Sequence, residues 1–228
     1  PEVPKFILIE SSGDVCSVAV SRGSQIIAEK SIQEPNSHSI YLAQFVDDVL
    51  KESGLEIATL DAVIIGGGPG SYTGLRIGCS LAKGLCFGSD LPLIACSTLA
   101  AFAASAQLEF PKAERFISLI DARRMDAYLG VFDKKLNSIA DEQFITIDAQ
   151  LAGDYTHGET IACGSGALKW VQEFNPKNIL ISSHTGINAR NLLPEALKKW
   201  EAGELERVAY YEPNYIKSVF VTKAKPKV

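Results

Sequence analysis

The chain has 228 residues, of which 46% are hydrophobic and 21% charged, so the composition indicates a folded globular protein and argues against a disordered one. The formal net charge of −5 argues against a protein that binds nucleic acid alone, because affinity for phosphates comes mainly from Lys and Arg. The five cysteines form neither a CxxC pair nor a zinc-binding spacing, which predicts reduced, buried thiols.

The sequence carries no sign of a membrane segment. No stretch is long and apolar enough to cross a bilayer, and no basic, then apolar leader precedes the first strand-like run at Lys5 to Ile9. We therefore expect a cytoplasmic protein that makes no contact with a membrane.

The first half of the chain alternates between strands and helices. Strands are predicted at 5–9, 15–20, 24–32, 62–65 and 93–96, and helices at about 37–53, 72–87 and 98–106. Three strands joined by tight turns indicate an antiparallel meander, and the later apolar strands indicate a sheet covered on both faces. This order resembles one lobe of the actin, Hsp70 and sugar-kinase superfamily.

The second half begins near Gln107 to Pro111. Its predicted strands are 116–120, 126–132, 144–147, 160–163 and 178–181, and its predicted helices are 167–174 and 189–201. We predict an α/β protein with the actin-like, ribonuclease H-like fold, built from two lobes that each contain a mixed sheet flanked by helices. Residues 1–106 would form the first lobe, and residues 107–228 a smaller or degenerate second lobe whose last segment could return to the first.

A glycine-rich loop, GGGPG at 66–70, follows a buried strand and leads into a helix. Ser71 and Thr73 can cap that helix, and the free amides at a helix start favour an anion such as phosphate. The string has neither the Walker A pattern nor the GxGxxG spacing, so a plain tight turn remains open beside the phosphate interpretation.

Small residues recur every four positions along that helix, at Gly70, Gly74, Gly78 and Ala82. Because each glycine inside a helix costs about 1 kcal/mol relative to alanine, another element is expected to approach this face closely. That element could belong to the same chain or to a second one, and the sequence slightly favours the second. The predicted interface comprises Gly70, Ser71, Tyr72, Gly74, Leu75, Gly78 and Ala82. We expect a homodimer in isolation, and leucine at 74 or 78 to weaken association without unfolding the chain.

Several motifs carry a resemblance to a known family. PGSYTGLRIG, followed by KGL and LPLIACSTLAAFA, resembles the signature of the TsaB (YeaZ) family. IESSGDVCSVAV near the start, ISLIDARRMDAYLGVF in the middle and EPNYIK near the end occur in the family's order. The match is strong in the first half and loose from about 132 to 210.

The resemblance implies a function in tRNA modification. Members of this family have the actin-like fold and help to make threonylcarbamoyladenosine, together with the catalytic subunit TsaD, the ATPase TsaE and TsaC. The glycine-striped helix lies in the family's subunit interface. The chain is accordingly expected to be a non-catalytic scaffold or activating subunit, with tRNA contacted only indirectly.

The catalytic groups of related proteins are replaced in this sequence. The HxxxH metal motif of TsaD falls near Thr98 and Phe102, and the three histidines of this chain are far apart, so no metal site is expected. Glu10 stands where superfamily ATPases have an aspartate. Ser11, Ser12 and Gly13 could still cradle a phosphate, so weak nucleotide binding remains open although no cofactor is expected.

Two other activities compete with this interpretation. An independent enzyme of the superfamily, such as a small-molecule kinase or acyl transferase, would need a second phosphate loop, for which only Gly164 to Gly166 is a candidate. A peptidase would need a nucleophile or metal centre. Asp121 with Arg123 and Arg124 forms an acid and two bases at a strand end, which a surface salt bridge or a turn explains equally well.

Overall fold

Two five-stranded mixed sheets form the framework of the protein in the computed structural model, which describes residues 3–34 and 37–216. The first sheet has the order β3-β2-β1-β4-β5, in which β1 pairs antiparallel with β2 and parallel with β4. Its strands are β1 (Lys5–Glu10), β2 (Cys16–Arg22), β3 (Gln25–Ile32), β4 (Ala62–Gly66) and β5 (Leu93–Cys96). Strands β4 and β5 are parallel and are buried along their whole length, as expected of a sheet covered on both faces.

The second sheet repeats this arrangement. Its order is β10-β9-β6-β7-β8, in which β6 pairs antiparallel with β7 and parallel with β9. Its strands are β6 (Arg115–Asp121), β7 (Asp126–Asp133), β8 (Ser138–Thr146), β9 (Thr160–Cys163) and β10 (Ile179–Ile181). Three meander strands followed by two parallel strands therefore occur twice along the chain, with the two halves in the same order.

Six α-helices accompany the sheets: α1 (Ser37–Ser53), α2 (Tyr72–Ser89), α3 (Thr98–Glu109), α4 (Leu151–Tyr155), α5 (Ala167–Phe174) and α6 (Leu193–Ala202) among the described residues. The starts of α2 and α3 follow from capping serines. Ser71 accepts a hydrogen bond from the amide of Gly74, and Ser97 accepts one each from Leu99 and Ala100. None of the helices in the described ranges is long and apolar enough to cross a membrane.

The core consists of three apolar layers. Helices α1 and α2 cover the outer face of the first sheet, and α5 covers the outer face of the second. The middle layer joins the two halves, because one cluster contains Phe6 from β1, six residues of α3, Phe116 from β6 and Leu193 from α6. Every residue of α3 from Thr98 to Ala106 is buried, which explains why this helix lacks a polar face.

The chain after the second sheet returns to the first. In α6, Trp200 packs edge-on against Phe6 with 5.5 Å between ring centroids. Beyond α6, the amide of Glu206 donates to the carbonyl of Leu93 on the edge strand β5 at 2.8 Å. This segment protects an edge that would otherwise present unpaired backbone groups. The end of the predicted second lobe, 217–228, lies outside the described residues.

Two predicted boundaries were wrong. Strand β8 begins at Ser138, six residues before the predicted start at 144, because its first half is a polar edge strand without a clear alternation. The predicted helix at 189–201 is split into a short 3-10 turn at Ala189–Leu192 and α6, which begins just before Pro194.

Candidate functional site in the cleft between the lobes

A cleft of about 930 Å³ lies between the two sheets. Because the halves share one topology, equivalent loops meet across it: the β1–β2 loop with Ser12 and Gly13 on one side, and the β6–β7 loop with Asp121 and Arg123 on the other. The start of α2, at Ser71, forms its floor. Ligands of α/β proteins bind where such strand-end loops converge, so this cleft is the candidate functional site.

Glu10 ends β1 beneath the cleft and is completely buried. Its Oε1 atom accepts hydrogen bonds from the backbone amide and the hydroxyl of Ser12, both at 2.5 Å, whereas Oε2 is buried without a partner among the described residues. Burial raises the pKa of this carboxyl from 4.5 to about 7, although the hydrogen bonds from Ser12 and Ser11 act in the opposite direction. The Glu10 side chain thus folds back onto the loop that was predicted to cradle phosphate.

The hydroxyl groups of Ser11 and Ser12 and the Ser12 amide, which are donors of the β1–β2 loop, are engaged within the chain. The Ser12 amide and hydroxyl bond to Glu10, and the Ser11 hydroxyl donates to the carbonyl of Gly74 at 2.9 Å. Gly13 is exposed at the tip. A phosphate entering this loop would have to displace the Glu10 carboxylate from Ser12, which lowers the expected affinity for a nucleotide.

The glycine stripe of α2 packs against this same loop. A Cβ atom at Gly74 would overlap the Ser11 carbonyl oxygen, one at Gly78 would overlap the Ser11 hydroxyl, and one at Gly70 would overlap the Ser12 carbonyl oxygen. Ala82 and Leu75 are also fully buried. Gly70, Gly74 and Gly78 are therefore covered by the chain's own β1–β2 loop, which argues against contact of these three positions with a second chain, whereas the predicted interface as a whole stays a prediction.

The remaining members of the predicted interface lie at the surface. Ser71 is exposed at the start of α2, where its amide donates to the Ser12 carbonyl at 2.7 Å, and Tyr72 is 44% exposed. The outward face of α2 continues through Arg76 and Ser80 to Phe87, which is 91% exposed. The neighbouring α1 adds the exposed Ile40. This outward surface is apolar at several points, although the sequence stripe did not identify it.

The β6–β7 loop is organised by a lysine that the sequence reasoning missed. Lys169 of α5 forms an ion pair with Asp121 and donates to the carbonyls of Arg124 and Asp126 at 2.7 and 3.0 Å. The ion pair of Asp121 is thus formed with Lys169 of α5 and not with an arginine of its own loop. No sequence spacing could have shown it, because the two residues lie on different elements.

A serine, a histidine and a glutamate meet on the other side of α3, but not as a hydrolase triad. Nδ1 of His184 lies 3.3 Å from the Ser105 hydroxyl and 3.8 Å from Glu109. A triad requires the two ring nitrogens to contact different groups, whereas here the same nitrogen faces both. Glu109 instead accepts hydrogen bonds from the Ser182 hydroxyl and the Ser183 amide.

Comparisons with known proteins point to one family. A family model described as TsaD, tRNA N6-adenosine threonylcarbamoyltransferase, matches residues 25–210. A Haemophilus influenzae protein described as tRNA threonylcarbamoyladenosine biosynthesis protein TsaB is 31% identical, with 97% of both chains covered. The solved structure of YeaZ from Pseudomonas aeruginosa is 26% identical, with a TM-score of 0.84 over 93% of this chain and 99% of that chain.

A more distant likeness concerns the fold alone. The ROK hexokinase of Thermus thermophilus is 13% identical, with a TM-score of 0.50 over 87% of this chain and 99% of the hexokinase. Together with the two mixed sheets, these similarities confirm the predicted actin-like fold and the resemblance on which it was based.

Proposed function

The chain belongs to the TsaB family of tRNA threonylcarbamoyladenosine biosynthesis proteins, and from this membership we propose that it is a non-catalytic subunit that activates a TsaD-like transferase. Its function lies in the biosynthesis of threonylcarbamoyladenosine in tRNA. The finer statement, that it scaffolds the chemistry without performing it, rests on what occupies the positions of the catalytic groups.

The observation that carries the proposal is the packing of α3. The metal histidines of the resembled transferase fall at Thr98 and Phe102, and both residues are buried here. The Thr98 hydroxyl donates to the carbonyl of Pro69, and Phe102 belongs to the layer between the sheets. Both positions therefore serve packing, and neither side chain can bind a metal as histidine does.

The state of the β1–β2 loop supports the same proposal. Positioning a metal-bound water requires a carboxylate directed into the cleft, whereas Glu10 is turned back onto Ser12. We therefore propose that the chain needs no cofactor and binds nucleotides at most weakly.

Partners are proposed on the outward face of α2. Exposed large aromatic side chains favour contact with another protein, and Tyr72 and Phe87 are exposed near the two ends of this face. We propose that it binds the TsaD-like subunit in the complex and a second copy of the chain in isolation. A TsaE-like ATPase joins the complex, and the net charge of −5 leaves tRNA contacts to the partners.

Reconstitution tests the function. The full chain would be combined with the TsaD-like and TsaE-like subunits and the TsaC-like protein of its own organism, with threonine, bicarbonate and ATP as the source of the threonylcarbamoyl group. Incorporation of threonylcarbamoyl into tRNA would be measured with each protein omitted in turn. We expect turnover that requires this chain, and none from this chain alone. Modification by the chain alone, or unaltered modification without it, would contradict the proposal.

A surface variant tests the partner face. Phe87→Ser should weaken binding to the TsaD-like subunit by about tenfold or more, because an aromatic anchor in an interface is worth at least about 1–2 kcal/mol. Leu108→Ser is the matched control, since Leu108 is also an exposed apolar residue, 74% exposed, but at the end of α3. Titration calorimetry gives both affinities. An equal loss of affinity in the two variants would show that the interface does not lie on the outward face of α2.

A further inference from the structure

A second cavity, of about 490 Å³, lies beside the edge strand β5 and shares no lining residue with the cleft. Gly67 and Ser97, which follow β4 and β5, form one wall. The other walls come from Glu142 of β8 and from Lys199 of α6. We call this cavity the acidic pocket. It combines residues from both halves of the chain and is not part of the site described above.

Carboxylates dominate the acidic pocket. Glu142, Glu195, Glu206 and Glu212 line it, and Lys199 is the cation among its lining residues. That lysine is already engaged, because its ammonium group lies 3.0 Å from Glu195 and donates to the Ala95 carbonyl at 2.6 Å. The pocket therefore has an excess of negative charge that a cationic ligand would offset.

The two inner carboxylates are held in place by Ser97. Its amide donates to Glu195 at 2.9 Å, and its hydroxyl donates to Oε1 of Glu142. Burial raises the pKa of Glu142, the Ser97 hydrogen bond acts in the opposite direction, and the negative charge of Glu195 adds to the increase. A positive charge beside Glu142 would favour its ionised form.

A tyrosine hydroxyl without a partner provides an independent sign of a ligand. Tyr211 lines the pocket and is only 9% exposed, and its hydroxyl oxygen is buried with no hydrogen-bond partner among the described residues. The absence of a side chain at Gly67 makes room for it, since a Cβ there would lie 2.8 Å from this oxygen. Leaving a buried hydroxyl unpaired costs free energy that a ligand donating a hydrogen bond would recover.

We propose that the acidic pocket binds a small aliphatic polyamine, with one ammonium group beside Glu142 and another that donates to the Tyr211 hydroxyl. An ammonium ion donates in three directions, which suits carboxylates and a phenolic oxygen on different walls. A metal ion fits less well, because no group of three His, Cys, Asp or Glu side chains in residues 3–34 and 37–216 is arranged to hold one. The volume lies within the range of small-molecule sites.

Spermidine is the probe that tests this site. Titration calorimetry on the full chain, at constant ionic strength, should give saturable binding with a Kd below about 1 mM. Glu142→Gln should weaken it about tenfold, since it removes one charge-assisted hydrogen bond, and Tyr211→Phe should weaken it severalfold. Circular dichroism would establish that both variants fold, and Tyr211→Phe removes only an atom that has no partner among the described residues.

Glu173→Gln is the control, because Glu173 is an exposed carboxylate on α5 outside the pocket. It should leave the affinity unchanged. The proposal fails if spermidine does not bind, if Glu173→Gln weakens binding as much as Glu142→Gln does, or if Mg²⁺ at equal charge competes as well as spermidine. The last result would indicate attraction to net negative charge only. The outcome is independent of the transferase assay, so either proposal can fail alone.

Discussion

Glu10 is the residue at which burial and charge conflict most strongly. Its pKa is raised to about 7 because the carboxyl is completely buried, and an unfolded chain would have the ordinary value near 4.5. Between these two values the folded chain retains a proton that the unfolded chain has lost. The free energy of unfolding should therefore fall as pH rises from about 4.5 to 7, and stay lowered above that range.

Glu10→Gln should remove this pH dependence. The amide oxygen can still accept the hydrogen bonds of Ser12, while no charge has to be buried. At pH 8 the variant should be more stable than the parent chain by on the order of 3 kcal/mol, and near pH 4 the difference should vanish. Urea unfolding across pH 4–8.5 measures this difference, with Asp14→Asn as the control for an exposed carboxylate in the same loop. Parallel curves for Glu10→Gln and the parent would contradict the argument.

The glycines of helix α2 lie in different surroundings. Gly74 and Gly78 face Ser11 without room for a Cβ, whereas Gly84 is exposed and a Cβ there would have no neighbouring atom within 4 Å. At Gly74 the obstacle is a backbone carbonyl, which cannot rotate away. At Gly78 it is a small hydroxyl group that can.

Alanine substitutions should separate these positions. Gly74→Ala should destabilise the chain by about 2 kcal/mol or more, because overpacking against the backbone outweighs the gain in helix propensity. Gly84→Ala should stabilise it by about 0.5–1 kcal/mol, and Gly78→Ala should fall between the two. Guanidinium unfolding of the three variants measures the order of their free energies of unfolding. An unchanged free energy of unfolding in Gly74→Ala would show that the β1–β2 loop does not pack closely against α2.

Leucine at the same positions corrects an expectation drawn from the sequence. Gly74→Leu and Gly78→Leu were expected to weaken association and spare the fold, but the contacts with Ser11 make loss of the fold the expected outcome. The sequence did indicate that some element approaches the stripe closely. It could not say which one, because a loop about 60 residues away in the chain leaves no periodic signal in the helix itself.

Local patterns predicted most elements of the two sheets, since apolar strands and capped helices are determined by short-range chemistry. The pairing of Lys169 with Asp121 and the convergence of Glu142, Lys199 and Tyr211 on one pocket could not be predicted, because each set joins elements far apart in sequence. Glu10, Ser11 and Ser12 were identified, but the direction of the Glu10 carboxylate required the structure.

At the scale of the whole molecule, two sheets with one topology share the middle apolar layer. Helix α3 fills the layer between them, and α6 carries Trp200 from the second half back onto Phe6 of the first. Apolar contacts of this kind couple the two halves, so neither sheet can lose its packing without exposing the middle layer. The repeated topology is thus compatible with a single unfolding unit.

The two tryptophans of the chain allow this coupling to be measured. Trp170 is fully buried against the outer face of the second sheet, and Trp200 lies against the first. Trp200→Phe leaves a fluorescent reporter in the second half, and Trp170→Phe leaves one on the first. In each variant, the fluorescence midpoint in urea should coincide with the midpoint from far-ultraviolet circular dichroism, as a single cooperative transition requires. A fluorescence transition that precedes the dichroism in one variant would show instead that the corresponding half unfolds independently, and that α3 and α6 do not join the two sheets energetically.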